Sequence, residues 1–411
     1  MDNQLSQVKV FANSTLRIII LAAASLAILI YRRPSQFLHP YIWVEEGTIT
    51  LPHYLHDGWL SLLSPVAGYI VLPAKIIFML AATISFPHLP MLTYWLTIAF
   101  TISVAMSVAL CPTYLKWPSV CAIAILLIPT DAEVFAVSEY AFWWGTLLAV
   151  VSVLWKSDGG KVALRSLLTL VGGLSSPLII PLAPIFLFRA LRFRTRNETL
   201  TFIVALTAAI AQAASILHTG NLAHSDKVNL DPIILVGKFF GYFVFWSQNS
   251  QAAMWQSATI GVALIVALIA ITYRHRAKLD VGIPLLAVCL AIAITSTVTR
   301  ISPDMINPIL AGPRYFFFPY IFLAWLLIQA AAVGGIVSRS IIAAIMILTM
   351  HQTWVYGQRT HDTIDWRAEI HSCTLASTYE LPIHYDGVRS HAWKVELSGA
   401  DCRKLISRSM F

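Results

Sequence analysis

Long apolar runs separated by short basic connections set the rhythm of this chain. The cleanest, residues 91–111, has no charged side chain over a length sufficient to cross a hydrocarbon core of ~30 Å. Similar runs cover 15–31, 199–217, 257–273, 281–299 and 315–338. Each predicts a membrane-spanning helix, the form in which a single segment satisfies its own backbone groups away from water. The first run is read as a retained helix, since it is long and no small-residue cleavage site follows it. Three basic clusters then set the threading: Lys156, Lys161 and Arg165; Arg189, Arg192, Arg194 and Arg196; Arg274, Arg276 and Lys278. With all three inside, the N-terminus is cytoplasmic and the first helix runs outward.

The outer loop that follows covers about residues 32–90. Within it, 67–85 is apolar but interrupted by Pro73 and Lys75, and is placed at the outer interface. Arg32 and Arg33 fall on the outer side, against the positive-inside trend. Segment 91–111 descends, 119–128 returns as a short crossing, 130–140 forms a second outer loop and 142–155 goes back in. The run between Arg165 and Arg189 is broken by Gly172, Gly173, Ser175, Ser176 and Pro177. Basic residues at both ends predict two half-helices that dip in and return, with a single Pro-kinked helix as the alternative. Outer segments follow at 218–256, where 232–246 is apolar enough to be interfacial, and at 300–313. Segment 315–338 goes in, and 340–350 begins the last outward crossing. The chain therefore divides into a transmembrane domain, 1–355, and a polar outer tail, 356–411, whose alternations at 379–385 and 391–397 predict short strands.

Composition removes the other fold classes. A mean hydropathy of +0.73, 58% hydrophobic and 12% charged residues exclude an ordinary soluble domain. The net charge of +8 comes from short loops and reports threading, not nucleic-acid binding. Cys111, Cys121 and Cys289 lie in apolar runs as packing residues. Cys373 and Cys402 share the tail and become a disulfide pair if it faces an oxidising compartment. No Cys or His spacing matches a metal site.

Against this background the acids stand out. Tyr41-Ile-Trp-Val-Glu-Glu-Gly47 carries Glu45 and Glu46, with His39, His53, His56 and Asp57 nearby. Asp131, Glu133 and Glu139 occupy the second outer loop, and Arg300, Arg314 and Tyr315 the late one, all at the same face. A carboxylate that takes a proton from a hydroxyl and an arginine that holds phosphate suit transfer from a lipid phosphate. Plainer roles compete: helix-end acids, a snorkelling Arg314, interface anchors at Tyr315, Trp143 and Trp144, solvated His53 and His56, and headgroup contact for Lys75 and Lys238.

Trp43-Val-Glu-Glu-Gly47 with His56-Asp-Gly-Trp-Leu60 and Pro65-Val-Ala-Gly-Tyr69 resembles the first outer loop of GT-C-type membrane glycosyltransferases. Pro129 to Glu133 with Tyr140-Ala-Phe-Trp-Trp144 is similar to their second outer loop, and Gly312-Pro-Arg-Tyr315 to a motif near their late helices. The size and tail are most similar to serotype-converting O-antigen glucosyltransferases of phage-derived clusters. The resemblance implies an all-α GT-C-like bundle with outer juxtamembrane helices in the bacterial inner membrane, its tail periplasmic. It implies inverting transfer of a sugar, glucose in that subgroup, from undecaprenyl phosphate to an O-antigen or lipopolysaccharide hydroxyl. A donor-synthesising transferase and a donor flippase would be its partners, and no cofactor is required, although a divalent ion is compatible.

The family's catalytic base maps to Glu46 or Glu45. Glu46 is favoured because the acid usually precedes Gly, and Glu stands where relatives often carry Asp. Arg314, with Tyr315 and Arg300, would hold the donor phosphate. Glu133, Asp131 and Glu139, with Trp143, His56 and Asp57, would contact donor or acceptor. The rival readings are a lipid-linked sugar transporter, which should carry ionisable residues at mid-membrane on broken helices, and an O-antigen polymerase, which should carry a large Arg-rich outer loop.

Overall fold

The computed structural model describes residues 2–220, 230–246, 251–359, 361–384 and 392–410. Helix dominates, and among the described residues six helices are long and apolar enough to cross a membrane: Thr15–Arg32, Phe86–Leu110, Arg196–Thr219, Ala252–Arg274, Pro313–Val333 and Ile336–Val355. This is the architecture of an all-α polytopic membrane protein. Pro313–Val333 is the buried centre of the bundle. The others keep exposed apolar side chains such as Ile19, Trp95, Ile203, Val266 and Ile347, which fit a hydrocarbon surround.

Three expected crossings differ in form. The 281–299 and 142–155 runs are shorter helices, Gly282–Val298 and Ala141–Val153. The 119–128 run is helical only over Pro118–Ala124. Beyond it the chain is irregular, and Arg32 compensates by donating to the carbonyls of Leu126, Ile128 and Thr130 at 3.2, 3.0 and 2.6 Å. Arg33 donates to the Ala132 carbonyl and the Tyr41 hydroxyl. Both arginines are fully buried, so their apparent breach of the positive-inside trend has a packing cause. The 315–338 run is also divided. Its helix stops at Val333 because Gly334 and Gly335 are extended, and the next helix begins at Ile336, ahead of the expected 340.

The broken run forms a helical hairpin, Val162–Gly173 and Ile179–Phe193. Arg165 and Arg189 both reach Glu198, at 3.0 and 2.5 Å, so the two basic ends lie together and the Ser175–Pro177 turn lies at the far end. Gly172 is required by contact, since a Cβ there would come within 2.4 Å of the Ala149 backbone nitrogen.

After Tyr356 the chain forms the Trp366–Leu375 helix, strands β1 (Thr378–His384) and β2 (Trp393–Ser398), and the Gly399–Ser407 helix. The strands pair antiparallel; Tyr385 and His391, in the predicted alternations, lie outside the described residues. A disulfide joins Cys373 to Cys402. Trp366, Ile370, Leu381, Ile383 and Leu405 share one core with Ile42, Leu51, Tyr54, Phe78 and Phe86. Trp366 Nε1 donates to the Phe86 carbonyl, and Arg408 Nη1 to the carbonyls of Tyr54 and Leu55. The tail and the 41–89 segment are thus folded onto each other.

Candidate active site

The two adjacent glutamates part company within one turn. A π-helical turn, Glu46–Thr50, follows Glu45. Glu46 is 1% exposed: its Oε2 accepts from the Trp43 N–H at 2.7 Å and its Oε1 from the Ser138 hydroxyl. Burial raises its carboxyl to about 7, although both hydrogen bonds act the other way. Gly47 leaves room for the tail, since a Cβ there would lie 2.5 Å from Ile383 Cδ1. Glu45 turns away from this pocket. It lines two cavities, and its Oε2 is buried without a hydrogen-bond partner among the described residues.

The smaller cavity, ≈ 300 Å³, is lined by Glu45, Glu139, Trp143, Arg300, Arg314 and Tyr315 among others, with the Ser176–Pro177 turn as part of its wall. Arg300 sits over the Tyr69 ring, 5.5 Å from its centroid, and Trp143 stacks on Phe318 at 5.0 Å. The indole Nε1 of Trp143 has no acceptor among the described residues. Glu139 is buried, and its carboxyl is pushed well above the usual range by burial first and then by the charges of Glu46 and Glu45. The shift favours the neutral carboxyl, the form able to donate a hydrogen bond.

The larger cavity, ≈ 690 Å³, is lined by Trp43, Glu45, Asp131, Glu133, Arg314, Arg359, His384 and Trp393 among others. Glu45, Tyr140 and Arg314 belong to both linings, so they form the partition between the two spaces. Glu133 holds that partition in place: its Oε1 accepts from the Tyr140 hydroxyl at 2.6 Å and from Arg314 Nη1 at 2.5 Å. Asp131 pairs with Arg359 of the tail at 3.0 Å.

The structure therefore gathers Glu45, Glu139, Trp143, Arg300, Arg314 and Tyr315 around one cavity, and Asp131 and Glu133 beside the other. Glu46 itself lines neither cavity. His56 and Asp57 pair with each other on the surface, their side chains 86% and 48% exposed, and line neither cavity. Lys75 donates to the Ser61 carbonyl and Lys238 to the carbonyls of Pro303, Asp304 and Ile306. Both ammonium groups are used inside the protein, not at a headgroup surface as expected. No cluster of three or more potential metal ligands occurs among the described residues. Sequence reasoning missed Ser138, which tethers Glu46, and Tyr140 as a partition residue, although both sit in the second-loop stretch already singled out. Arg359 carried no local signal at all. No protein-family model matches the chain, and no curated protein or solved structure does either.

Proposed function

We propose that the chain is an integral membrane glycosyltransferase of GT-C type, which moves a sugar from a polyprenyl-phosphate donor to a saccharide hydroxyl. One observation carries the reading: Glu45, whose buried Oε2 has no hydrogen-bond partner among the described residues, lines both cavities, as does Arg314, and Arg300 lines the smaller one. In this reading the donor's phosphate and sugar occupy the smaller cavity. The acceptor hydroxyl arrives through the larger one. Glu45 takes its proton as the oxygen attacks the anomeric carbon. The bond from that carbon to the phosphate oxygen breaks, its electron pair stays on the phosphate, and the configuration inverts. Arg314 and Arg300 neutralise the departing charge, while the neutral Glu139 carboxyl and the Trp143 N–H offer donors to sugar or phosphate oxygens. Glu46, tied by two hydrogen bonds, shapes the turn that presents Glu45.

The extracytoplasmic side of a bacterial inner membrane suits this chemistry. There, undecaprenyl-phosphate glucose is the proposed donor, O-antigen the acceptor, and a flippase the source of donor on that side. A lipid-linked sugar transporter is the second reading, favoured by the Ser176–Pro177 turn in the cavity wall.

The test uses membranes bearing the protein, labelled polyprenyl-phosphate glucose and purified lipopolysaccharide. Label should enter the polysaccharide with wild type. Glu45→Gln should lower the rate by roughly 10²–10⁴-fold, and Glu46→Gln should retain most of it. Loss in Glu46→Gln with activity kept in Glu45→Gln would reverse the assignment. No transfer from any sugar donor by folded protein would favour the transporter.

A further inference from the structure

The larger cavity has one wall that the chemistry at Glu45 does not use. Trp393 opens β2 and lines this cavity, yet its side chain is 58% exposed. Ligand sites are lined by aromatic side chains with a few placed polar groups, and Trp393 brings such a ring to the rim of this cavity. Across the hairpin it pairs with His384, which is buried. The imidazole of His384 stacks on Tyr41 at 4.3 Å and on Trp43 at 5.0 Å. The strand partner of Trp393 is thus tied by packed rings to the Tyr41–Trp43 segment. Around the same space stand flat polar groups: Gln358, Arg359, Asp131 and Glu45. Arg359 is fixed by its ion pair with Asp131 and lies 5.9 Å from the Trp43 ring centroid.

An aromatic face beside planar hydrogen-bonding groups is amphipathic in the way a pyranose is. The sugar's C–H face packs on a ring while its hydroxyls meet amide, carboxylate and guanidinium edges. An acyl chain would strip water from those polar groups while offering them no hydrogen bond, so lipid is a poor occupant.

We propose that Trp393, which shares its cavity with His384, Trp43, Gln358 and Arg359, is a saccharide-binding platform that holds an acceptor polysaccharide at units beyond the one that reacts. The proposal rests on the transferase reading for the meaning of "acceptor", but the binding itself does not. Specificity for the glycan would then sit partly in the tail, remote in sequence from the carboxylate loop.

The experiment measures equilibrium binding of fluorescein-labelled, delipidated O-polysaccharide from the host strain to the full-length protein in detergent, by fluorescence anisotropy. Glu45→Gln protein should bind it. Trp393→Ala in that background should bind roughly tenfold more weakly, and Trp393→Phe should restore most of the affinity. In the transfer assay, Trp393→Ala should raise KM for the polysaccharide while leaving KM for the donor unchanged. Equal binding by Trp393→Ala and its parent, or no binding by either, would overturn the platform. So would an equal rise in both KM values. Trp393-dependent binding by a protein that transfers no sugar from any donor would uphold the platform and reject the transferase.

Discussion

Glu46 makes the residue scale measurable without a substrate. Its buried carboxyl is raised to about 7 from an ordinary 4.5, so the folded chain holds a proton that the unfolded chain releases first. Stability from this group is therefore complete below about 4.5, falls as pH rises towards 7 and stays lost above it. The span corresponds to about 3 kcal/mol at most. Glu46→Gln keeps an amide oxygen for the Trp43 N–H and removes the titration. Its melting temperature should fall less than that of wild type between pH 4.5 and 7.5. Parallel curves for the two proteins would show that Glu46 does not titrate in this window. The carboxylate pair was legible in the sequence as acids in a chain that avoids charge. Which of the two faces the cavity was not. The direction of the turn depends on Ser138 and on Ile383 against Gly47, contacts that no local pattern encodes.

Among the elements, the helical hairpin was the most readable, because a Gly/Ser/Pro break with basic residues at both ends admits few threadings. Its closure adds a feature that spacing did not reveal: one buried carboxylate, Glu198, serves two buried guanidiniums. Removing it leaves both cations without their counter-charge, a loss of roughly 3–5 kcal/mol for a buried pair broken on one side. Glu198→Ala should melt well below wild type, and Glu198→Gln should recover only part of the difference. If Glu198→Ala melts with wild type in a detergent thermal scan, the hairpin is closed by its helix packing instead. The 119–128 crossing was misread for a related reason. Its irregular half is supplied with donors by Arg32, a residue whose charge, read alone, spoke only of topology.

At the scale of the molecule, the tail was legible as a separate polar segment with strands and two cysteines, placed to meet the acceptor, but its packing against the carboxylate loop was not. Alternation in β1 marks Leu381 and Ile383 as inward-facing without saying against what. The structure answers with the 41–89 segment, so the tail braces the turn that carries Glu45. The Cys373–Cys402 disulfide links the helices on either side of the hairpin across 29 positions. A closed loop of that length contributes about 3–4 kcal/mol by restricting the unfolded state. Cys373→Ser with Cys402→Ser should therefore loosen the hairpin first. Protease cleavage after 356 should become faster, and sugar transfer should fall although both cavities' arginines and Glu45 are intact. The fall should appear in kcat as well as in acceptor KM, because Ile383 and His384 support the carboxylate turn as well as the larger cavity. A cleaved, loosened tail with wild-type kcat would show instead that the carboxylate turn holds its shape without the tail.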